Sequence, residues 1–475
     1  MADRGTALAF HNHAVTIKAA DPVMAYRSTV AAVTADPGCA DAWLLLAIQA
    51  RDMGNEPAAI AACKAGLRCT EGDGPGDLNV ALRHKFLVNL GHSLMNDGRY
   101  DEAFRVTDEA IRLWERVGTE ALGGTQGVAF AFTNLSLIQS HQGLQRGVVE
   151  NARRGFELFP DVLTEMGLAF ALLFDGRYAE GLKLFEARFP YRLQKFANMP
   201  YPRWDGGKVG TLMIVPDQGL GDSLSFARFI PDAADIADRV IVMMPPELLV
   251  IMRGALASYA NVEVVMHDAA LPRADAWCPI MSLPVALGLS DDQIRRFDGL
   301  DAEAFAGGTV GSRLEFEPGT FNIAIAWAGA PANEIDKHRS IPVTEFLPLL
   351  EVPRVRLWSV QVGPRAKEMH DACCAAMMVD LSPYIRDASD TAGILRRMDL
   401  VVTIESFVAH LAGALDLPCW VAASKRGRDW RIGTTGETPL WYANTRIWRQ
   451  GDDLSWKPVF AAMVEELRRV VDGTS

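Results

Sequence analysis

The chain has 475 residues, too many for one ordinary hydrophobic core, so two or three domains are expected. Its composition is that of a globular protein, 49% hydrophobic and 22% charged, without a low-complexity tract of the kind that stays disordered. A formal net charge of −12 argues against a general nucleic-acid or anionic-membrane surface, while leaving room for a local basic pocket that takes a phosphorylated small molecule.

The opening "MADRGTALAFHNHAV" has no long apolar core behind a basic end, so no secretory signal is expected. No apolar run approaches the length of a bilayer crossing. The seven cysteines (Cys39, Cys63, Cys69, Cys278, Cys373, Cys374, Cys419) are odd in number and form no CxxC pair. Buried free thiols in a reducing cytoplasm are the expectation, with no zinc site.

An internal period comes first in chain order. "NLGHSLMNDGRYDEAFRVTDEAI" has Gly91, then Gly98-Arg99-Tyr100, then Ala103 and Ala110. "MGLAFALLFDGRYAEGLKLFEARF" matches it with Ala169, Gly176-Arg177-Tyr178, Gly181 and Arg188. A third copy runs through Ser136, Gly143, Val148, Ala152 and Gly155 to Pro160, and a fourth through Ala47, Gly54, Ala59, Cys63 and Gly66. Ahead of these, "MAYRSTVAAVTADP" reads as the second helix of another copy, ending at Pro37. Small residues at these offsets let antiparallel helices approach closely, glycine reverses the chain, and proline stops the second helix. The pattern resembles the tetratricopeptide repeat in four to five copies, over a domain drawn at 1–195. That resemblance implies a solenoid with a concave face that holds a protein partner or adaptor.

Beyond "FPYRLQKFANMPYPRWDGGKVG" short apolar runs alternate with amphipathic segments. Strands are expected at Thr211 to Pro216, Arg239 to Pro245, Asn261 to His267 and Ala276 to Met281, with a helix from about Ser223 to Ala237. A second set follows: "FNIAIAWAG", "RVRLWSVQ", "AMMVDLS", "DLVVTIE" and "PCWVAAS" as strands. "TEFLPLLE", "DTAGILRRM", "SFVAHLAGALD" and "LSWKPVFAAMVEELRRVVD" read as helices between and after them. Asp301 to Thr320 reads as a linker between the sets. The fold class expected is therefore α plus α/β: a helical solenoid, then Rossmann-like lobes at 205–315 and 320–475, with a cleft facing the carboxyl ends of their strands.

Taken in order, the motifs "QGLGDSLSFARF", "DAWCPIMSLP", "IAWAG…HRSIP", "SVQVGPR", "VVTIESFVAHLAGAL" and "DWR…WY…WRQ" extend this likeness. Preceded by helical repeats, they resemble bacterial tetratricopeptide proteins with a heptosyltransferase-like glycosyltransferase region. The resemblance covers essentially the whole chain. It implies a GT-B architecture, a nucleotide-sugar donor held mainly by the C-terminal lobe, and no metal or other cofactor.

Within it, the turn Gln218-Gly219-Leu220-Gly221-Asp222 matches the acceptor-side glycine-aspartate turn, whose carboxylate is the candidate general base. Proton removal from an acceptor hydroxyl needs such a group, and a departing diphosphate needs positive charge. A carboxylate at a helix start is equally a backbone cap, and both roles stay open for Asp222. In the second lobe Glu405-Ser406 stand where the family has an aspartate-threonine pair, and Ser406 with the helix N-terminus can meet a phosphate. His410 lies one turn along the same helix.

Gly329 with "DKHRS" (Lys337, His338, Arg339, Ser340) and "SKRGRDWR" (Lys425, Arg426, Arg428, Arg431) form two basic loops suited to a diphosphate. Gln361 ends a strand where it could bond a base or sugar, or cap a loop. The Walker loop, the G-x-S-x-G elbow and HExxH are absent, and Gly219-Leu220-Gly221 lacks the third glycine of a dinucleotide loop.

The function expected is an inverting, metal-independent glycosyltransferase acting on a protein hydroxyl. The alternatives are the same chemistry on a glycan, a lipid-linked sugar or a modified nucleic-acid base, and a scaffold that has lost its transferase activity.

Overall fold

Turn glycines, capping side chains and small residues at helix contacts account for the first part of the structure. A computed structural model describes residues 3–473 apart from 72–76, 145, 193–195, 268–269, 296–308, 332–335, 427–428, 434–435 and 438–440. The chain divides into two compact units, Met1–Asp175 and Gly176–Ser475.

The first unit is built of helical pairs: α1 (Arg4–Ile17) with α2 (Pro22–Ala35), α3 (Ala40–Asp52) with α4 (Glu56–Cys69), α5 (Asp77–Asn96) with α6 (Tyr100–Ala121), and α7 (Gln126–His141) with α8 (Val148–Leu158). Each second helix also packs on the first helix of the next pair, through to α9 (Val162–Phe174). The starts are chemically marked. Asp21 accepts from the Met24 N–H with Pro22 opening α2, and Asn55 accepts from the Ala58 N–H at α4. Gly98 turns the chain between α5 and α6 at φ +79°, which β-carbon-bearing residues rarely adopt. At Gly91 a Cβ would lie 2.2 Å from Thr107 Oγ1, so the repeated small residue is a contact requirement between these helices.

Successive first helices carry a polar row as well. Arg51 donates to Asn89 at 2.9 Å and His92 meets Asn134 at 3.3 Å, while Asn96 of α5 donates to Glu56 of the second helix α4 at 2.9 Å. The helical pairs bear out the repeat, and α1 supplies the first helix of its first copy.

His84 on α5 is buried against Gly127 of α7, and its Nε2 has no hydrogen-bond partner among the described residues. Burial lowers its pKa from 6.5 to about 4. Between those values the unfolded chain binds the extra proton, so stability rises with pH across the window. The contribution is complete above 6.5 and is lost as pH falls towards 4. Denaturation of the full chain at pH 7.5 and pH 5 should show this loss, worth about 2 kcal/mol at pH 5. His84→Leu should shrink the difference between the two pH values by that amount, and an unchanged difference would refute the assignment.

The second unit opens with α10 (Tyr178–Phe185), tied to the lobe by Asp291, which accepts from the Ala179 N–H at 2.7 Å. Four parallel strands follow: β1 (Val209–Val215), β2 (Ala237–Met244), β3 (Val262–Met266) and β4 (Ala276–Pro279), in the order β3-β2-β1-β4. The second sheet holds β5 (Phe321–Ala326), β6 (Val355–Ser359), β7 (Val379–Asp380), β8 (Leu400–Ile404), β9 (Cys419–Ala423) and β10 (Thr445–Arg449). Its order is β10-β9-β8-β5-β6-β7, again all parallel. β8, β9 and the last four residues of β1 are apolar runs buried on both faces, as parallel strands between helices must be. Helical repeats followed by two Rossmann-like lobes of GT-B type are thus the architecture of the chain.

Three local expectations are corrected. The helix placed at Ser223 to Ala237 begins earlier and breaks up, as α11 (Leu220–Phe226), a 3₁₀ turn and the short helix Ile230–Ala234. Pro231 sits in the first turn of that last piece and has no N–H to continue the ladder. β10 went unseen because an edge strand alternating Arg446, Trp448 and Arg449 with Ile447 has no apolar run. The "linker" contains a short helix, Thr309–Ser312, whose Gly311 packs on Gly393 so closely that a Cβ would lie 1.9 Å from the Gly393 carbonyl oxygen. Residues 301–308 of that segment lie outside the described residues.

The thiols are also less uniform than expected. Cys63, Cys278, Cys374 and Cys419 are buried, Cys39 and Cys69 are half-buried, and Cys373 is exposed. No helix among the described residues is long and apolar enough to cross a membrane.

Candidate functional site

Strand order places the site. In each sheet the connections leave a central strand in opposite directions, which opens a crevice at the carboxyl ends of the strands. From β1 the chain passes through Pro216 to Gly219 into α11. From β8 it passes through Glu405 and Ser406 into α12 (Phe407–Ala414). These two helices pack against each other. Gly221 makes the approach possible, since a Cβ there would lie 2.6 Å from His410 Cδ2. Gln218 and Gly219 are exposed at the turn.

Asp222 is the third residue of α11 and uses both carboxylate oxygens. Oδ2 accepts from the Gly219 N–H at 3.0 Å, and Oδ1 pairs with Arg431 Nη1 at 2.8 Å. The capping reading and a charged role therefore coexist on one side chain. Gly219, not Asp222, is the cap residue, and the aspartate reaches back to it.

Arg431 joins the two lobes. Its Nε lies 2.8 Å from Asp429 Oδ1 and its Nη2 2.6 Å from Asp429 Oδ2, while Nη1 also donates to Ser225 Oγ at 2.8 Å. Behind it, His410 Nε2 lies 3.5 Å from Asp429 Oδ2 and His410 Nδ1 3.1 Å from the Tyr442 hydroxyl. Gly413, one turn after His410, leaves room for the Tyr442 ring, whose Cγ would be 2.4 Å from a Cβ.

Burial alone would raise the pKa of Asp429, but the Arg431 charge outweighs it and holds the carboxyl well below its usual range. Burial, reinforced by Arg431, lowers the pKa of His410 and favours the neutral imidazole. A neutral ring accepting from Tyr442 at Nδ1 and donating towards Asp429 at Nε2 fits both contacts. Arg228 completes the group, stacked 4.5 Å over Trp441 and 5.3 Å over Tyr442, with burial lowering its pKa to about 10. Arg431 thus faces two aspartates in a largely dry setting.

A second cluster lies at the ends of β5, β6 and β8. Arg339 Nη1 donates to the Glu405 carbonyl at 2.7 Å, and Gly329 N–H donates to Asp336 at 2.8 Å, with Ser340 Oγ at 3.4 Å. Arg365 pairs with Asp336 at 3.3 Å and with Glu368, which also accepts from Trp327 Nε1 at 2.9 Å. Gln361 is buried, and its Oε1 accepts from the Trp327 and Ala328 N–H groups at 3.0 and 2.8 Å, so its amide oxygen shapes the β5 loop. Ser406 is buried with its Oγ 3.3 Å from Thr403 Oγ1.

After β9, Ser424 Oγ donates to the His338 carbonyl at 2.6 Å, and Lys425 pairs with Asp452. Lys337 falls in the short helix Asp336–Arg339, and Arg428 lies outside the described residues.

The structure therefore brings Asp222, Gly221 and His410 into one network, and Gly329, Arg339, Ser340 and Glu405 into another. Arg431, grouped by sequence with the phosphate-facing basic residues, has carboxylate partners instead. Asp429, Tyr442, Arg228, Asp336 and Arg365 were not singled out. Each lies inside a quoted motif: Asp429 in "DWR", Tyr442 in "WY", Arg228 in "QGLGDSLSFARF", Asp336 in "DKHRS" and Arg365 closing "SVQVGPR".

No family model matches the chain. Protein FlbA of Caulobacter vibrioides is 25% identical over 514 residues, which cover 90% of this chain and 84% of that protein. Among solved structures, the glycosyl transferase family 9 protein of Veillonella parvula has a TM-score of 0.39 at 10% identity, covering 56% of this chain and 98% of its own. An O-GlcNAc transferase of Thermobaculum terrenum spans 92% of this chain and 93% of its own, with a TM-score of 0.28 at 15% identity.

Proposed function

We propose that the protein is an inverting, metal-independent glycosyltransferase that moves a sugar from a nucleotide donor to a hydroxyl of a protein held by the helical repeats. The observation that carries this reading is the meeting of α11 and α12, with the Asp222 carboxylate of one lobe paired to Arg431 of the other. Asp222 would take the proton of the acceptor hydroxyl as its oxygen bonds to the sugar carbon. The bond from that carbon to the diphosphate breaks, with the electron pair leaving on the diphosphate oxygen. Arg339, Lys425, Arg365 and the N-terminus of α12 are the groups that would offset that charge.

The polar row on the first helices of the repeats supports a polypeptide acceptor, because amide and guanidinium groups can exchange their mutual bonds for bonds to a backbone. Calorimetric titration of the full chain with ADP, UDP, GDP, CDP and dTDP tests the donor side. Binding of one of them is the expected result, and binding of none would leave only a scaffold role. Mass spectrometry of cellular proteins and glycans with and without the gene then assigns the acceptor. A sugar increment on a glycan and not on a protein would overturn the acceptor class.

A further inference from the structure

Arg431 divides its donors in a way that a purely structural ion pair does not require. Nε and Nη2 are both committed to Asp429, which lies two residues away on the same loop. Only Nη1 reaches across to the first lobe, where it meets Asp222 Oδ1 and Ser225 Oγ, each at 2.8 Å. A guanidinium clamped at two corners keeps its plane and position while the third corner changes partner. Exchange at Nη1 therefore costs one charge-assisted contact and moves nothing else. The incoming partner must be anionic, because the buried Arg431 guanidinium would otherwise keep Asp429 as its one carboxylate partner.

We propose that Arg431 is a positioning residue that holds Asp222 through Nη1 until a diphosphate oxygen of the donor takes that place, which frees the carboxylate to accept a proton. The inference rests on the transferase reading and adds an order to it: donor first, acceptor second. Without the donor, Asp222 stays paired, and an acceptor hydroxyl meets an occupied base. The same device keeps water from being activated next to an empty donor site.

The test is calorimetric titration of the full chain with inorganic pyrophosphate and, in parallel, with the five nucleoside diphosphates. If Asp222 competes with the diphosphate for Nη1, then Asp222→Asn removes the competitor. Affinity should rise about tenfold, the size of one exchanged charge-assisted contact. Asparagine can still accept from the Gly219 N–H, so the helix start is retained. Arg431→Met should weaken binding about tenfold or more, and adding Asp222→Asn to it should restore nothing. Arg431→Lys, which keeps the charge without the fork, should not rescue the loss.

A merely structural bridge predicts unchanged or weaker binding in Asp222→Asn, and that result would overturn the proposal while leaving the donor site standing. If the wild-type chain takes up neither pyrophosphate nor any nucleotide, the transferase reading itself fails and the proposal falls with it. Thermal melts of each variant report folding. Should Asp222→Asn unfold, Ser225→Ala, which removes the other Nη1 partner, is expected to tighten binding two- to threefold, and no tightening there refutes the exchange.

Discussion

Asp222→Asn is expected to lower sugar transfer about 10²- to 10⁴-fold, the range that a positioned general base contributes. The substitution keeps size and capping ability and removes only basicity and charge. Donor affinity should hold or improve, so the loss appears in kcat and not in KM for the donor. The measurement is transfer to the acceptor identified by mass spectrometry, at saturating donor. Retention of transfer within about tenfold of wild type would reduce Asp222 to its bond with the Gly219 N–H and its pairing with Arg431.

The second large effect concerns stability. Asp429→Ala should destabilise the second unit by about 3–5 kcal/mol, because it leaves the guanidinium of Arg431 buried with one carboxylate in place of two. His410 would lose its Nε2 partner at the same time. The readout is the urea midpoint of that unit, followed by the fluorescence of Trp430 and Trp441, which sit 5.1 Å apart beside the network. A change below about 1 kcal/mol would mean that water replaces the carboxylate, and that the site is wetter than the 8% exposure of the Arg431 side chain implies.

Much of this molecule is legible in the residues alone. The offset from a small residue to "GRY" and on to a second small residue is set by close packing within helical pairs, which the contact at Gly91 makes literal. Apolar runs of five to seven residues, such as β1 and β8, announce parallel strands because helices cover both faces. The glycine-aspartate turn was legible too, since a strand must turn sharply to enter α11 beside another helix.

Other features were not legible, for physical reasons. β10 has edge-strand chemistry, whose alternation of charge and apolar residues looks like a loop until a neighbour pairs with it. For Gln361 the residues left a ligand contact and a loop cap both open, and the tertiary structure shows its oxygen closing the β5 loop through two backbone N–H groups.

The division between the two kinds of knowledge is sharpest at Asp222. By itself the sequence determined the class of most segments, the order of the lobes and the presence of a carboxylate at the first helix start, because these depend on periodicity and local turn chemistry. Only the tertiary structure decided which charges that carboxylate meets. Arg431 lies 209 positions further along the chain, and its distance from Asp222 depends on how two sheets bring their carboxyl edges together. Electrostatic partnership falls off with distance in space, and no spacing along the chain encodes it.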